Sequence, residues 1–319
     1  MLFSNRLDGK LVETLTSDGL RLHGFYQRSV VRDLLGGSNQ QEISHSDRDC
    51  WLIVHGVAGN FYNSSLLGSV AESLLANGSD VLRINTRGRD PISYVAVGSM
   101  SSRCGAAYET VSDGILDISS WFQLLLNEGY RSINLLGHSL GAVKSILFAC
   151  EHPIQTDSDS LKSQTISRLV LLSPPRLQPD IIRTDTKYSA TYLEDLAQAR
   201  QLCEAGKPDS LLTIRYPQPM IVSASTFLDK YGSDSRYDYH RYVSLLKSPT
   251  LWCFGEHEVR GPRASFRDAD NELVPQLEML PKQTQTLKVI PSGDHAYTGV
   301  RDLLCDSVIE WTKTTVLRL

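Results

Sequence analysis

Apolar residues fall into two spacings along the chain. Short runs recur at 51–54, 81–84, 133–136, 169–172, 251–254 and 287–290, unbroken at 51–54, 169–172 and 251–254 and holding one polar residue in each of the others. Runs of that length read as strands buried on both faces. Between several of them the spacing lengthens to that of a helix. Leu66, Leu67, Val70, Ala71 and Leu74 share one face of a predicted helix over 64–76, which Asn77-Gly78 ends. Val111, Ile115, Ile118, Phe122 and Leu125 repeat in the same way up to Gly129. A third helix is predicted over 142–150, stopped near Pro153, and a last one carries Leu304, Val308 and Trp311. Ahead of all this, residues 11–16 and 20–26 flank Ser17-Asp18-Gly19, a hairpin signal. The polar stretch 36–49 reads as a surface excursion.

Strand and helix in alternation predict an α/β protein: a mostly parallel central sheet with helices on both faces. The alternation breaks over 174–247 and resumes after 248. The expected organisation is therefore a core of 1–173 and 248–319 with a cap inserted at 174–247. That insertion carries a helical stretch near 192–205 and over half of the chain's tyrosines, among them Tyr188, Tyr192, Tyr216, Tyr231, Tyr237, Tyr239 and Tyr242. Insertions at the carboxyl edge of a sheet tend to cover a ligand site. Tyrosines there suggest a pocket for a medium-sized, partly aromatic ester.

Composition narrows the class. With 41% hydrophobic and 21% charged residues, the chain fits neither a disordered, a collagenous nor a coiled-coil protein. At 319 residues it can bury enough surface to fold without disulfides or metal. A net charge of −4 offers no basic field for nucleic acid. No apolar run approaches the roughly 20 residues of a membrane helix. The first eight residues hold no apolar core of signal-peptide length, so a cytoplasmic protein is expected. Cys50, Cys104, Cys150, Cys203, Cys253 and Cys305 form no CxxC pair. They carry no zinc or redox signature and are expected to be reduced, mostly buried thiols.

The chemistry concentrates in Gly137-His138-Ser139-Leu140-Gly141, which follows one predicted strand and opens the next predicted helix. A GxSxG string alone is weak, but between strand and helix it forms a sharp turn that presents the serine above the sheet. Acyl transfer also needs two N–H groups to meet the oxyanion. Leu140 supplies one candidate. Val57, in His55-Gly56-Val57-Ala58-Gly59, supplies the other, with Ala58 as its substitute. His55 itself lies upstream of the serine and reads as structural. The expected base is His295, in a loop just beyond the last strand. The expected acid is Glu258, three residues beyond Gly255, with Glu256, Asp268 and the adjoining Asp294 as rivals.

The elbow at Ser139, the His55-Gly56 loop, the Gly293-Asp294-His295 ending and the Asn85-Thr86-Arg87-Gly88-Arg89 turn resemble the α/β-hydrolase superfamily in order and spacing. The resemblance covers about 10–173 and 248–319. It implies a Ser139–Glu258–His295 triad, with Val57 and Leu140 N–H groups as oxyanion hole and no cofactor or metal. It implies a small-molecule ester as substrate, with neither nucleic acid nor membrane as partner. Glutamate stands where that family more often has aspartate. Other acyl, thioester, peptide or carbon–carbon cleavage on the same scaffold is the competing activity, and a silent binding protein the competing class.

Overall fold

The computed structural model describes residues 8–31, 44–151, 166–281 and 284–315. Most of the polar stretch read at 36–49, and Pro153, lie outside them. Twelve strands are described: β1 (Lys10–Leu15), β2 (Arg21–Gln27), β3 (Asp49–Val54), β4 (Asp80–Ile84), β5 (Ser93–Val97), β6 (Met100–Cys104), β7 (Ser132–His138), β8 (Ile166–Leu172), β9 (Leu211–Ile214), β10 (Met220–Ser223), β11 (Thr250–Gly255) and β12 (Gln285–Ile290). Eight of them form one sheet in the order β1-β2-β4-β3-β7-β8-β11-β12. The hairpin β1–β2 joins antiparallel to β4, and every pairing from β4 to β12 is parallel.

The helices are α1 (Ser65–Ala76), α2 (Asp113–Asn127), α3 (Leu140–Glu151), α4 (Pro179–Arg183), α5 (Ser189–Glu204), α6 (Ala224–Tyr231), α7 (Glu256–Val259), α8 (Ala269–Glu278) and α9 (Arg301–Thr314). β3 shows why its apolar run is continuous. Leu52 and Val54 enter the larger core cluster with α2 and α3, while Trp51 and Ile53 enter the cluster with α1 and α9. Alternate residues of one strand thus feed two cores, the signature of a sheet covered on both faces. Strand order reverses between β3 and β7, and ligands of open α/β sheets bind at such a switch point.

Between β8 and β11 the chain forms α4, α5, the β9–β10 hairpin and α6. The expected helix near 192–205 is α5. The segment is not purely helical, because Leu212, Ile214 and Val222 bury one side of an unanticipated hairpin. Among the described residues, no helix is long and apolar enough to cross a membrane.

Candidate active site

β7 ends at His138 and α3 begins at Leu140, so Ser139 alone makes the turn. Its φ is +56°, a left-handed conformation that costs a non-glycine residue of order 1 kcal/mol. The Ser139 N–H donates to Leu172 O at 2.8 Å, which ties the turn to the end of β8. The flanking glycines answer to close backbone contacts. A Cβ on Gly137 would lie 2.4 Å from Gly141 O, and one on Gly141 would lie 2.4 Å from His55 O.

His295 reaches this serine from the loop after β12. Ser139 Oγ donates to His295 Nε2 at 2.9 Å, and His295 Nδ1 donates to Glu258 Oε1 at 2.6 Å. Glu258 sits on α7, directly after β11. Its other oxygen, Oε2, accepts from Gly255 N–H at 2.9 Å and from Ser173 Oγ at 2.5 Å. The two loops interlock: His257 N–H donates to Gly293 O at 2.8 Å, and a Cβ on Gly255 would lie 2.4 Å from that same oxygen. The rival acids point elsewhere. Glu256 accepts from Ser292 N–H at 2.8 Å, and Asp294 accepts from the N–H groups of Ala296 and Thr298. Asp268 is exposed ahead of α8.

The loop after β3 lies against the elbow, because a Cβ on Gly56 would come within 3.0 Å of Ser139 Cβ. Ala58 holds a φ of +53° in this loop. Among the described residues, neither the Val57 nor the Leu140 N–H has an acceptor. His55, Ser139, Ser173, Glu258 and His295 thus follow five parallel strands and meet at one edge of the sheet. No group of three or more His, Cys, Asp and Glu among the described residues could hold a metal ion.

Three contributors were not anticipated. Ser173, at φ +48°, holds Glu258 and also bonds the Tyr297 hydroxyl at 2.8 Å. Lys144 is buried in α3 behind the His55 loop. His138 donates from Nε2 to His295 O at 2.8 Å, and its ring centroid lies 4.9 Å from that of His295. Its only sequence signal was its place inside the elbow, and that of Lys144 was a lone cation in an apolar helix.

Burial holds the imidazoles of both His138 and His55 down at about 4, helped by the nearby His295 and Lys144 respectively. Both are neutral in the folded protein at pH 7. The unfolded chain takes up these protons near pH 6.5, so each histidine's contribution is complete above that pH. It is lost as pH falls toward 4, at an upper bound of about 3 kcal/mol each. Tm should therefore fall between pH 7 and 4.5. His138→Gln, which keeps a donor toward His295 O, should show a smaller fall, read by calorimetry at both pH values. An equal fall in the variant would mean that His138 takes up a proton without cost.

A cavity of about 390 Å³ opens beside His295 and is lined by Lys187, Tyr188, Arg263 and Phe266 among others. Phe266 packs on the His295 ring with centroids 5.0 Å apart. The expectation of a tyrosine-lined pocket is corrected here. Tyr192, Tyr216, Tyr231, Tyr237 and Tyr239 are buried in the core, where Tyr216 stacks edge-on against Tyr192 and Tyr231. Of the seven named tyrosines only Tyr188 lines this cavity. These five fill the interior as large apolar rings, and the Tyr216 hydroxyl finds an internal partner in Ser265, while Tyr242 is half-buried.

The chain has the α/β-hydrolase fold. Est1E from Butyrivibrio proteoclasticus, solved with ferulic acid bound, is 17% identical, with a TM-score of 0.64 over 95% of this chain and 99% of that one. An esterase of Pyrococcus furiosus, PF2001, is 18% identical, with a TM-score of 0.60 over 96% and 91%. The α/β hydrolase GrgF from Penicillium sp. sh18 is 14% identical, with a TM-score of 0.61 over 97% and 99%. No protein-family model and no curated protein matches the chain.

Proposed function

We propose that the protein is a serine hydrolase acting on carboxylic esters through an acyl-enzyme. The observation that carries this reading is the unbroken relay from Ser139 Oγ to His295 Nε2 at 2.9 Å and from His295 Nδ1 to Glu258 at 2.6 Å. Ser139 gives its proton to His295 and attacks the ester carbonyl. The Val57 and Leu140 N–H groups receive the oxyanion. The tetrahedral adduct collapses, the C–O bond to the alcohol breaks, and the imidazolium proton goes to the leaving oxygen. Water then repeats the sequence on the acyl-serine and releases the acid. Residues 174–247 act as a cap over the cavity beside His295. The names of Est1E and PF2001 favour an ester over the other acyl substrates of this scaffold.

The test is labelling with a fluorophosphonate, read by intact and peptide mass, beside a panel of p-nitrophenyl esters. One adduct on the peptide holding Ser139, with ester turnover, is the expected result. A folded protein that takes up no label and cleaves no ester overturns the proposal.

A further inference from the structure

Behind the His55 loop lies a buried set of charges that the proposed mechanism leaves unused. Lys144 and Glu109 are almost inaccessible, and so is Lys230 of α6. Lys144 Nζ donates to Glu109 Oε2 at 2.5 Å and to Thr86 Oγ1 at 3.3 Å. Lys230 Nζ donates to Glu109 Oε1 at 3.1 Å and to Ala106 O at 3.1 Å. The carboxylate fits only because residue 88 is glycine, since a Cβ there would lie 1.6 Å from Glu109 Oε2. One lysine would already neutralise this glutamate. A second buried ammonium is expensive, and pairing alone does not account for it.

The contacts of Lys144 lead to the oxyanion loop. Thr86 Oγ1, which accepts from Lys144, lies 3.3 Å from His55 Nε2, and Thr86 N–H donates to the same nitrogen at 3.1 Å. With Nε2 accepting, the proton of His55 sits on Nδ1, which donates to Gly56 O at 2.7 Å. Gly59 N–H holds that carbonyl too, at 3.1 Å. In a trans peptide the carbonyl and the next N–H point in opposite directions. Fixing Gly56 O therefore fixes where the Val57 N–H points. A proton on Nε2 would face the Thr86 N–H and push the ring out of place, and a rotated His55 would release the carbonyl and let the peptide unit turn.

We propose that Lys144 is a positioning residue for the reaction, acting through Thr86 and His55 to aim the Val57 N–H at the oxyanion. The inference rests on the hydrolase reading above. Its ammonium acts in two ways: it orients the Thr86 hydroxyl, and it opposes a proton on His55 Nε2. The charged groups acting on His55 are Lys144, Glu109 and Asp90, and Lys144 is the cation among them.

The test uses Lys144→Met, Thr86→Val and Thr86→Ser in the full chain. Lys144→Met leaves Glu109 paired with Lys230, so no buried carboxylate is left without a cation. Lys144→Met and Thr86→Val should each lower kcat about tenfold with KM almost unchanged. Affinity for an arylboronic acid, which adds to the serine as a tetrahedral anion, should fall in step. Thr86→Ser should restore both. A lowered Tm with kcat and boronate affinity intact would overturn the proposal, leaving a structural charge cluster. His55 titration, followed by 15N NMR, gives a readout apart from activity. Its midpoint, about 4 in the native protein, should rise in Lys144→Met. A midpoint that does not move overturns the inference even if the enzyme is active. If the native protein neither labels nor hydrolyses, the proposed function fails, and the titration alone decides whether Lys144 governs the loop.

Discussion

Replacing Ser139 with alanine should cut ester turnover by about 10⁶-fold and abolish fluorophosphonate labelling while leaving the fold intact. The loss is large because, among the described residues, the serine is the only group bonded to His295 Nε2, so none of their hydroxyls stands ready to take its place. The fold should survive because alanine keeps the Cβ and therefore the same left-handed strain at φ +56°. The N–H bond to Leu172 O is also untouched. Tm should stay within about 3 °C of the native value. Ser139→Gly separates strain from chemistry. It should be equally inactive yet more stable, because glycine adopts a positive φ without cost. Retention of a hundredth of native turnover by Ser139→Ala would place the nucleophile elsewhere.

What the sequence made legible follows from the physics of each element. β3, β4, β7, β8 and β11 are buried on both faces, so their apolar runs stand out. The β5–β6 hairpin escaped notice because Tyr94 and Met100 expose apolar side chains and blur the alternation. α8 escaped because Pro275 lies inside it and reads as a stop. Ser139 and His295 were legible from local motifs that tight turns impose. Glu258 was favoured over Glu256 by its distance from Gly255, but only three dimensions show that Glu256 meets the Ser292 N–H while Glu258 meets the His295 ring. Ser173 and His138 work across 85 and 157 residues, on Glu258 and on the His295 carbonyl. Neither position carries a motif of its own for that work.

Glu258→Gln should lower turnover by about 10³–10⁴-fold, and the surrounding donors explain why an isosteric change costs so much. In the native protein Glu258 Oε2 receives two hydrogen bonds, from Gly255 N–H and Ser173 Oγ. The Gly255 N–H can only donate, so the glutamine must place its oxygen there. Its NH₂ group then faces His295 Nδ1, 2.6 Å away in the native arrangement. Nδ1 has to become the acceptor, and the imidazole proton moves to Nε2. That nitrogen then points a proton at Ser139 Oγ and can no longer take one. The variant loses both the correct tautomer and the negative charge that supports the imidazolium. Glu256→Gln, whose carboxylate holds Ser292 N–H, should change turnover less than about threefold. The tautomer is visible by 15N NMR of His295, with the proton on Nδ1 in the native protein and on Nε2 in Glu258→Gln. Full activity in Glu258→Gln, or a collapse in Glu256→Gln instead, would move the acid off α7's third residue and undo the proposed relay.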